Sequence, residues 1–158
     1  CCTSARFPDT GLWVRRAAAV RADGMRSISG QVVSRWFTPS FAARFPAVPA
    51  AFAATLDGVD PEGYAGCCEA IAAMDLRPGL GTIAAPTLVI AGSEDPATPP
   101  WHGAVIARGI TRSRLAVIRG ASHLASVSSP AEVTAALSAH LLAMAPSRAG
   151  EDAAARSG

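Results

Sequence analysis

Lysine is absent from this sequence; all fourteen basic side chains among the 158 residues are arginine. Against twelve acids they leave a formal charge of only +2, and charged residues make up 16% of the chain. The basic residues are scattered, which excludes the clustered basic stripe that nucleic-acid binding needs. Together with the abundance of alanine, the missing lysine reads as the codon bias of a GC-rich genome. Long apolar runs are also lacking. None reaches the roughly 18 residues of a membrane-spanning helix, so no membrane partner is expected. The four cysteines form two vicinal pairs, Cys1–Cys2 and Cys67–Cys68, without C-x-x-C spacing. That argues against a zinc knuckle or a redox motif, and adjacent residues close a disulfide badly. They read as small core thiols in a reducing, cytoplasmic setting. No basic segment followed by an apolar one opens the chain, and no metal or cofactor is expected. Disorder is excluded for most of the length, because half of the residues are hydrophobic.

What is present falls into two regions. Residues 8–75 read as helices joined by Pro/Gly breaks. Trp13, Ala17 and Val20 share one helical face that Gly24 ends. Met25, Ile28, Val32 and Trp36 follow at spacings of three and four, until Pro39. Ser40 is expected to cap a short helix carrying Phe41 and Phe45, with Pro46 and Pro49 breaking the pattern. Asp60-Pro61-Glu62 predicts a helix start, with Asp as cap and Pro in the first turn. Tyr64, one of Cys67 and Cys68, and Ile71 line its buried face.

Residues 76–145 change to strand–helix alternation. Thr87-Leu88-Val89-Ile90-Ala91 is a continuous, partly β-branched apolar run closed by Gly92. It suits a parallel strand buried on both faces. Pro99 and Pro100 open a helix with Trp101, Val105 and Ile106 inward. Leu115 to Ile118 predicts a second strand. Ser129-Pro130-Ala131-Glu132 reads as a capping box for a helix whose stripe is Val133, Leu137, Leu141 and Met144. Strand–turn–helix–strand–turn–helix is the repeating unit of an open parallel sheet covered by helices. Residues 1–7 read as the end of a core strand and 146–158 as a flexible tail or linker. Because the chain opens on Cys1 in what reads as a strand end, it is expected to be cut from a longer one.

In open α/β sheets functional groups collect beyond the carboxyl ends of strands. Asp95 lies four residues after Ala91, and His123 five after Ile118. Taken alone, each has a plain reading: Asp95 as a turn residue before Pro96, His123 as a satisfied histidine near a helix start. Taken together, at two successive strand ends, they suit a catalytic pair. The carboxylate accepts the Nδ1 proton and fixes the tautomer, and the other nitrogen serves as general base. A serine nucleophile would come earlier, on a G-x-S-x-G elbow, and no such motif occurs in these residues. Gly120-Ala121-Ser122-His123-Leu124 lacks the closing glycine. His102, expected exposed in the first turn of a helix, and His140, near a helix end, read as structural.

Arg35-Trp36-Phe37-Thr38-Pro39 and Asp60-Pro61-Glu62-Gly63-Tyr64-Ala65-Gly66-Cys67-Cys68 resemble the cap of 3-oxoadipate enol-lactonases, members of the α/β-hydrolase superfamily. Ala85 to Pro100 is similar to that family's acid-bearing segment, and Ala121-Ser122-His123-Leu124-Ala125 to its histidine segment. The resemblance implies the C-terminal part of an α/β-hydrolase fold, a parallel sheet with flanking helices, plus a helical cap over residues 8–75. It implies a cofactor-free serine hydrolase that opens 3-oxoadipate enol-lactone to 3-oxoadipate in the β-ketoadipate pathway, downstream of protocatechuate and catechol. Asp95 would be the triad acid, His123 the base and Trp13 a wall of the substrate pocket. The substrate's carboxylate calls for a cation, for which Arg15, Arg16 and Arg35 are candidates. With the nucleophile missing, the chain alone is expected to be inactive. The tail from Pro146 resembles the start of a linker to a fused 4-carboxymuconolactone decarboxylase. Two other readings stand beside this one: another small-substrate α/β-hydrolase, of esterase or haloperoxidase type, and a non-catalytic remnant acting as a binding module.

Overall fold

Capping and small-residue packing set the helical region. In a computed structural model that describes residues 1–144, α1 (Thr10–Asp23) starts where the Asp9 side chain accepts from Leu12 N–H, and stops at Gly24, whose φ is +73°. α5 (Pro61–Ala73) starts at Asp60, whose carboxylate accepts from Gly63 N–H at 2.7 Å. The two helices pack closely because Ala17, Ala65 and Cys68 lie between them. Arg21 of α1 closes the outer rim by pairing with Glu62 and Glu69 of α5.

Between them run a short 3-10 turn (Met25–Ser27), α2 (Ser29–Val33), α3 (Pro39–Arg44) and α4 (Ala47–Asp57). Met25, Ile28, Val32, Val33 and Phe37 join Val20 and Leu56 in one apolar cluster, as the spacing of the first three predicts. Two local expectations fail. Thr38, not Ser40, caps α3, because Pro39 occupies its first position and the Thr38 hydroxyl accepts from Phe41 N–H at 3.3 Å. Pro49 does not break the pattern; it sits in the first turn of α4, where no N–H donor is required.

The strand–helix alternation forms as read. β1 (Thr87–Gly92) and β2 (Ser113–Ile118) pair in parallel, with Thr87 opposite Ser113 and Gly92 opposite Ile118. Alternate residues serve the two faces. Leu88, Ile90, Ala116 and Ile118 pack with Val133 and Ala136 of α8 (Pro130–Leu142), which follows the one-turn α7 (Ala125–Ser128). On the other face, Val89, Ala91 and Leu115 meet α6 (Pro100–Gly109) at Gly103, the crossover helix between the strands. At the other edge of β1, Cys2 N–H donates to Ile90 O at 2.8 Å.

Burial corrects several further expectations. His102 is buried rather than exposed. Its Nδ1 donates to Ser4 Oγ at 2.6 Å while that hydroxyl donates to Arg6 O, so the ring ties the N-terminal segment to α6. Burial pushes the His102 pKa down. Trp101 is half-exposed and stacks on His102 instead of pointing inward. Ser129 makes no capping bond, and only Val133 of the expected α8 stripe is buried; Leu137, Leu141 and Met144 are exposed. All four cysteines are free. Cys2 and Cys68 are buried core thiols, whereas Cys1 and Cys67 are exposed. The expected tail, 146–158, lies outside the described residues.

Gly92 controls how closely the two strand ends approach. A Cβ there would overlap the backbone carbonyls of Ala121 and Ser122, and backbone cannot swing aside as a side chain can. Gly92→Ala is therefore expected to destabilise the chain by roughly 3 kcal/mol. Gly66, in α5, would meet nothing within 4 Å, and Gly66→Ala is expected to stabilise by about 0.5–1 kcal/mol. Urea unfolding midpoints of the two variants check both signs.

Candidate active site

Both turns after the strands are zipped together by backbone. Ser93 N–H donates to Ile118 O at 2.9 Å and Glu94 N–H to Ala121 O at 2.9 Å. Gly120, at φ +71°, turns the chain out of β2, and its N–H donates to Ser93 Oγ. These bonds carry the register of the sheet past its edge, so that Asp95 and His123 meet although 28 residues separate them.

Asp95 folds back on its own turn. Its Oδ1 accepts from Ala97 N–H at 2.8 Å and Thr98 N–H at 3.0 Å, and its Oδ2 accepts from the Thr98 hydroxyl at 2.8 Å. The fourth donor is His123, whose Nδ1 lies 2.8 Å from Oδ2. Burial alone would raise the Asp95 pKa, but the bonds from His123 and Thr98 outweigh it and bring the carboxyl from 3.8 to about 2. An ionised carboxylate only accepts, so Nδ1 carries a proton, and in the neutral ring Nε2 is then the nitrogen with the lone pair. That is the tautomer a general base needs. Among the described residues, the hydroxyl bonded to this ring is that of Thr98, on the Nδ1 side at 3.3 Å.

His123 opens on a pocket of about 110 Å³ walled by Phe7, Leu12, Trp13, Val32 and Trp36, with Thr98 and Ala97 from the acid turn. Two of the three candidate arginines reach it. Arg16 lines the wall and lies 4.9 Å above the Trp13 ring, and Arg35 lines it beside Trp36. Arg15 does not. It points to the surface, its side chain 70% exposed, and pairs with Asp9 at 3.5 Å. One helical position explains the difference: residues 13 and 16 share a face that 15 leaves. The Trp13 indole N–H is buried and has no acceptor among the described residues. Phe7, Leu12, Val32, Ala97 and Thr98 are not singled out by the sequence as pocket residues. Thr98 had a usable signal, a hydroxyl three residues after the acid; Phe7, in an irregular segment, had none.

The depressed Asp95 pKa has a defined pH signature. The folded-state value lies below the unfolded one, so the stability this carboxylate confers is complete above about pH 4 and is lost as pH falls towards about 2. Asp95→Asn should flatten that acid limb, read as urea midpoints between about pH 2 and pH 5. Parallel curves for the two proteins would show that the carboxylate is not held low.

Residues 1–137 match the model of the alpha/beta hydrolase family. The 3-oxoadipate enol-lactonase 2 of Acinetobacter baylyi is 39% identical over 128 residues, covering 81% of this chain and 48% of that protein. The 3-oxoadipate enol-lactonase 1 of the same organism is 35% identical over 118 residues, covering 75% of this chain and 44% of that protein. The crystal structure of the enol-lactonase from Burkholderia xenovorans superposes with a TM-score of 0.85 at 37% identity, over 90% of this chain and 54% of that one. A malate-bound thermophilic esterase from Thermogutta terrifontis gives 0.80 at 30% identity, over 89% and 53%. The chain thus spans about half the length of the relatives it matches. With its parallel strands, its helices on both faces and its acid and histidine at adjacent strand ends, the chain belongs to the alpha/beta hydrolase family.

Proposed function

We propose that this chain supplies the acid and base of a serine hydrolase that opens 3-oxoadipate enol-lactone to 3-oxoadipate, in the cytoplasmic β-ketoadipate route of aromatic degradation. The observation that carries this reading is the Asp95–His123 pair beside a pocket walled by aromatic rings and two arginines. The curated relatives named as enol-lactonases support the choice of reaction.

In this reading a serine outside these residues attacks the lactone carbonyl, and His123 Nε2 takes its proton. The imidazolium is stabilised by Asp95, which stays ionised. His123 then returns the proton to the departing enol oxygen. Water enters, His123 deprotonates it and passes the proton to the departing serine Oγ, the acyl group leaves as a carboxylate, and the enol tautomerises to the ketone of the dicarboxylate product. Without that serine the chain alone is inactive. Arg16 is the cation for the substrate's free carboxylate, because its charge sits in an apolar wall where water screens it little. Trp13, whose ring Arg16 overlies at 4.9 Å, walls the pocket beside that charge. The helical region over residues 8–75 acts as the cap that carries both. A fused downstream decarboxylase rests on the tail from Pro146, outside the described residues, and stands as a proposal only.

A second reading, a small-ester esterase, is favoured by the likeness to the esterase from Thermogutta terrifontis. A substrate panel separates the two. In a polypeptide that joins this chain to a G-x-S-x-G-bearing N-terminal half, the enol-lactone should be hydrolysed in preference to neutral butyrate esters. His123→Ala should lower kcat by about 10³-fold or more. Arg16→Met should lower kcat/KM for the anionic lactone by about tenfold or more and leave neutral esters little changed. Equal rates on both substrate types in the parent protein would favour the esterase, and full activity of His123→Ala would sink both readings.

A further inference from the structure

Three hydrogen bonds from distant parts of the chain converge on one dipeptide. The Arg35 guanidinium donates through Nη2 to Pro96 O at 2.5 Å, across 61 residues. The Ser122 hydroxyl donates to Arg35 O at 3.0 Å, across 87 residues. Leu124 N–H donates to Trp36 O at 3.0 Å. Pro96 follows Asp95 directly, and Ser122 and Leu124 flank His123. Arg35–Trp36 therefore hydrogen-bonds to the neighbours of both members of the pair and, among the described residues, to neither member itself.

The dipeptide is well mounted for this. Arg35 N–H and Trp36 N–H donate to Val32 O and Val33 O at the end of α2, and both valines are buried in the helical core. The Trp36 ring packs edge-on against Phe52 of α4 at 6.0 Å. On the sheet side, the two turns are held by the bonds from Ser93, Glu94 and Gly120. Arg35–Trp36 holds them from the helical side. Of its three bonds, the two to the histidine turn use backbone acceptors that any residue would supply. The bond to the acid turn depends on the arginine side chain.

We infer that Arg35 is a positioning residue: its guanidinium fixes the acid turn, through Pro96 O, to the same mount that holds the histidine turn, and so sets the contact between Asp95 Oδ2 and His123 Nδ1. The contact needs such control because a hydrogen bond of this kind weakens steeply with distance and misalignment. This rests on the reading of Asp95 and His123 as acid and base.

The test uses the chain itself, labelled with ¹⁵N, and follows the downfield Nδ1 proton of His123 by NMR. In the wild type that proton should be visible and slow to exchange with water. Arg35→Met, which keeps the bulk and removes the donors, should speed its exchange by about tenfold, the effect of losing one hydrogen bond from a charged donor. The amide of Val20 in α1 should keep its protection. Arg35→Lys, with its charge and a single compact donor group, should fall between the two. Unchanged exchange in folded Arg35→Met overturns the inference and leaves the acid–base pair standing. Loss of protection at Val20 to the same degree also overturns it, because the role would then be general stability. If Arg35→Met does not fold, Arg35→Lys decides: faster exchange supports the inference and wild-type exchange overturns it. Absence of the downfield proton in the wild type overturns the pair and, with it, the role of Arg35.

Discussion

A buried carboxylate has to be satisfied or it will not stay charged, and Asp95 meets that demand with four donors. Three are local: two backbone N–H groups and the Thr98 hydroxyl. They lie within the turn after β1, so they orient the carboxylate without a distant partner. The fourth, His123 Nδ1, comes from the next strand end. The local bonds make the acid a fixed acceptor, and the fixed acceptor selects the tautomer and plane of the imidazole. The start of α6 depends on the same turn, because Pro99 and Pro100 follow Thr98 directly.

The site lies where two kinds of structure meet. The sheet contributes chemistry: its parallel register brings two strand ends to one edge, and glycine at position 92 lets them approach within backbone contact. The helical region contributes the environment: Trp13, Arg16, Val32 and Trp36 turn a sheet edge into a pocket. The apolar wall strengthens any charge placed in it, since screening falls with the local dielectric. Arg16 stacked on Trp13 is such a charge, held in place by its ring. Arg15, one position along the same helix, faces bulk water and an exposed aspartate, where an ion pair contributes little.

Local sequence determined much of this. The strand runs closed by Gly92 and Gly120, the Asp60-Pro61 helix start, the Gly24 stop and the positions of Asp95 and His123 beyond two strands all follow from propensity, periodicity and turn chemistry that act within a few residues. Where the reading failed, two local solutions competed or a distant partner intervened. Thr38 and Ser40 are both plausible caps, and Pro39 settles the choice by taking the first helical position. His102 gains its polar partner, Ser4, from 98 residues away, and Phe7 of the same N-terminal segment packs 5.6 Å from its ring. Tertiary structure alone decided that Arg16 and not Arg15 faces the pocket, that the Trp13 N–H is buried, and that Arg35 reaches Pro96 while its own carbonyl receives Ser122. Those facts depend on how a helical layer settles on a sheet edge, and the contacts that fix it join residues too far apart in the chain for any local pattern to record.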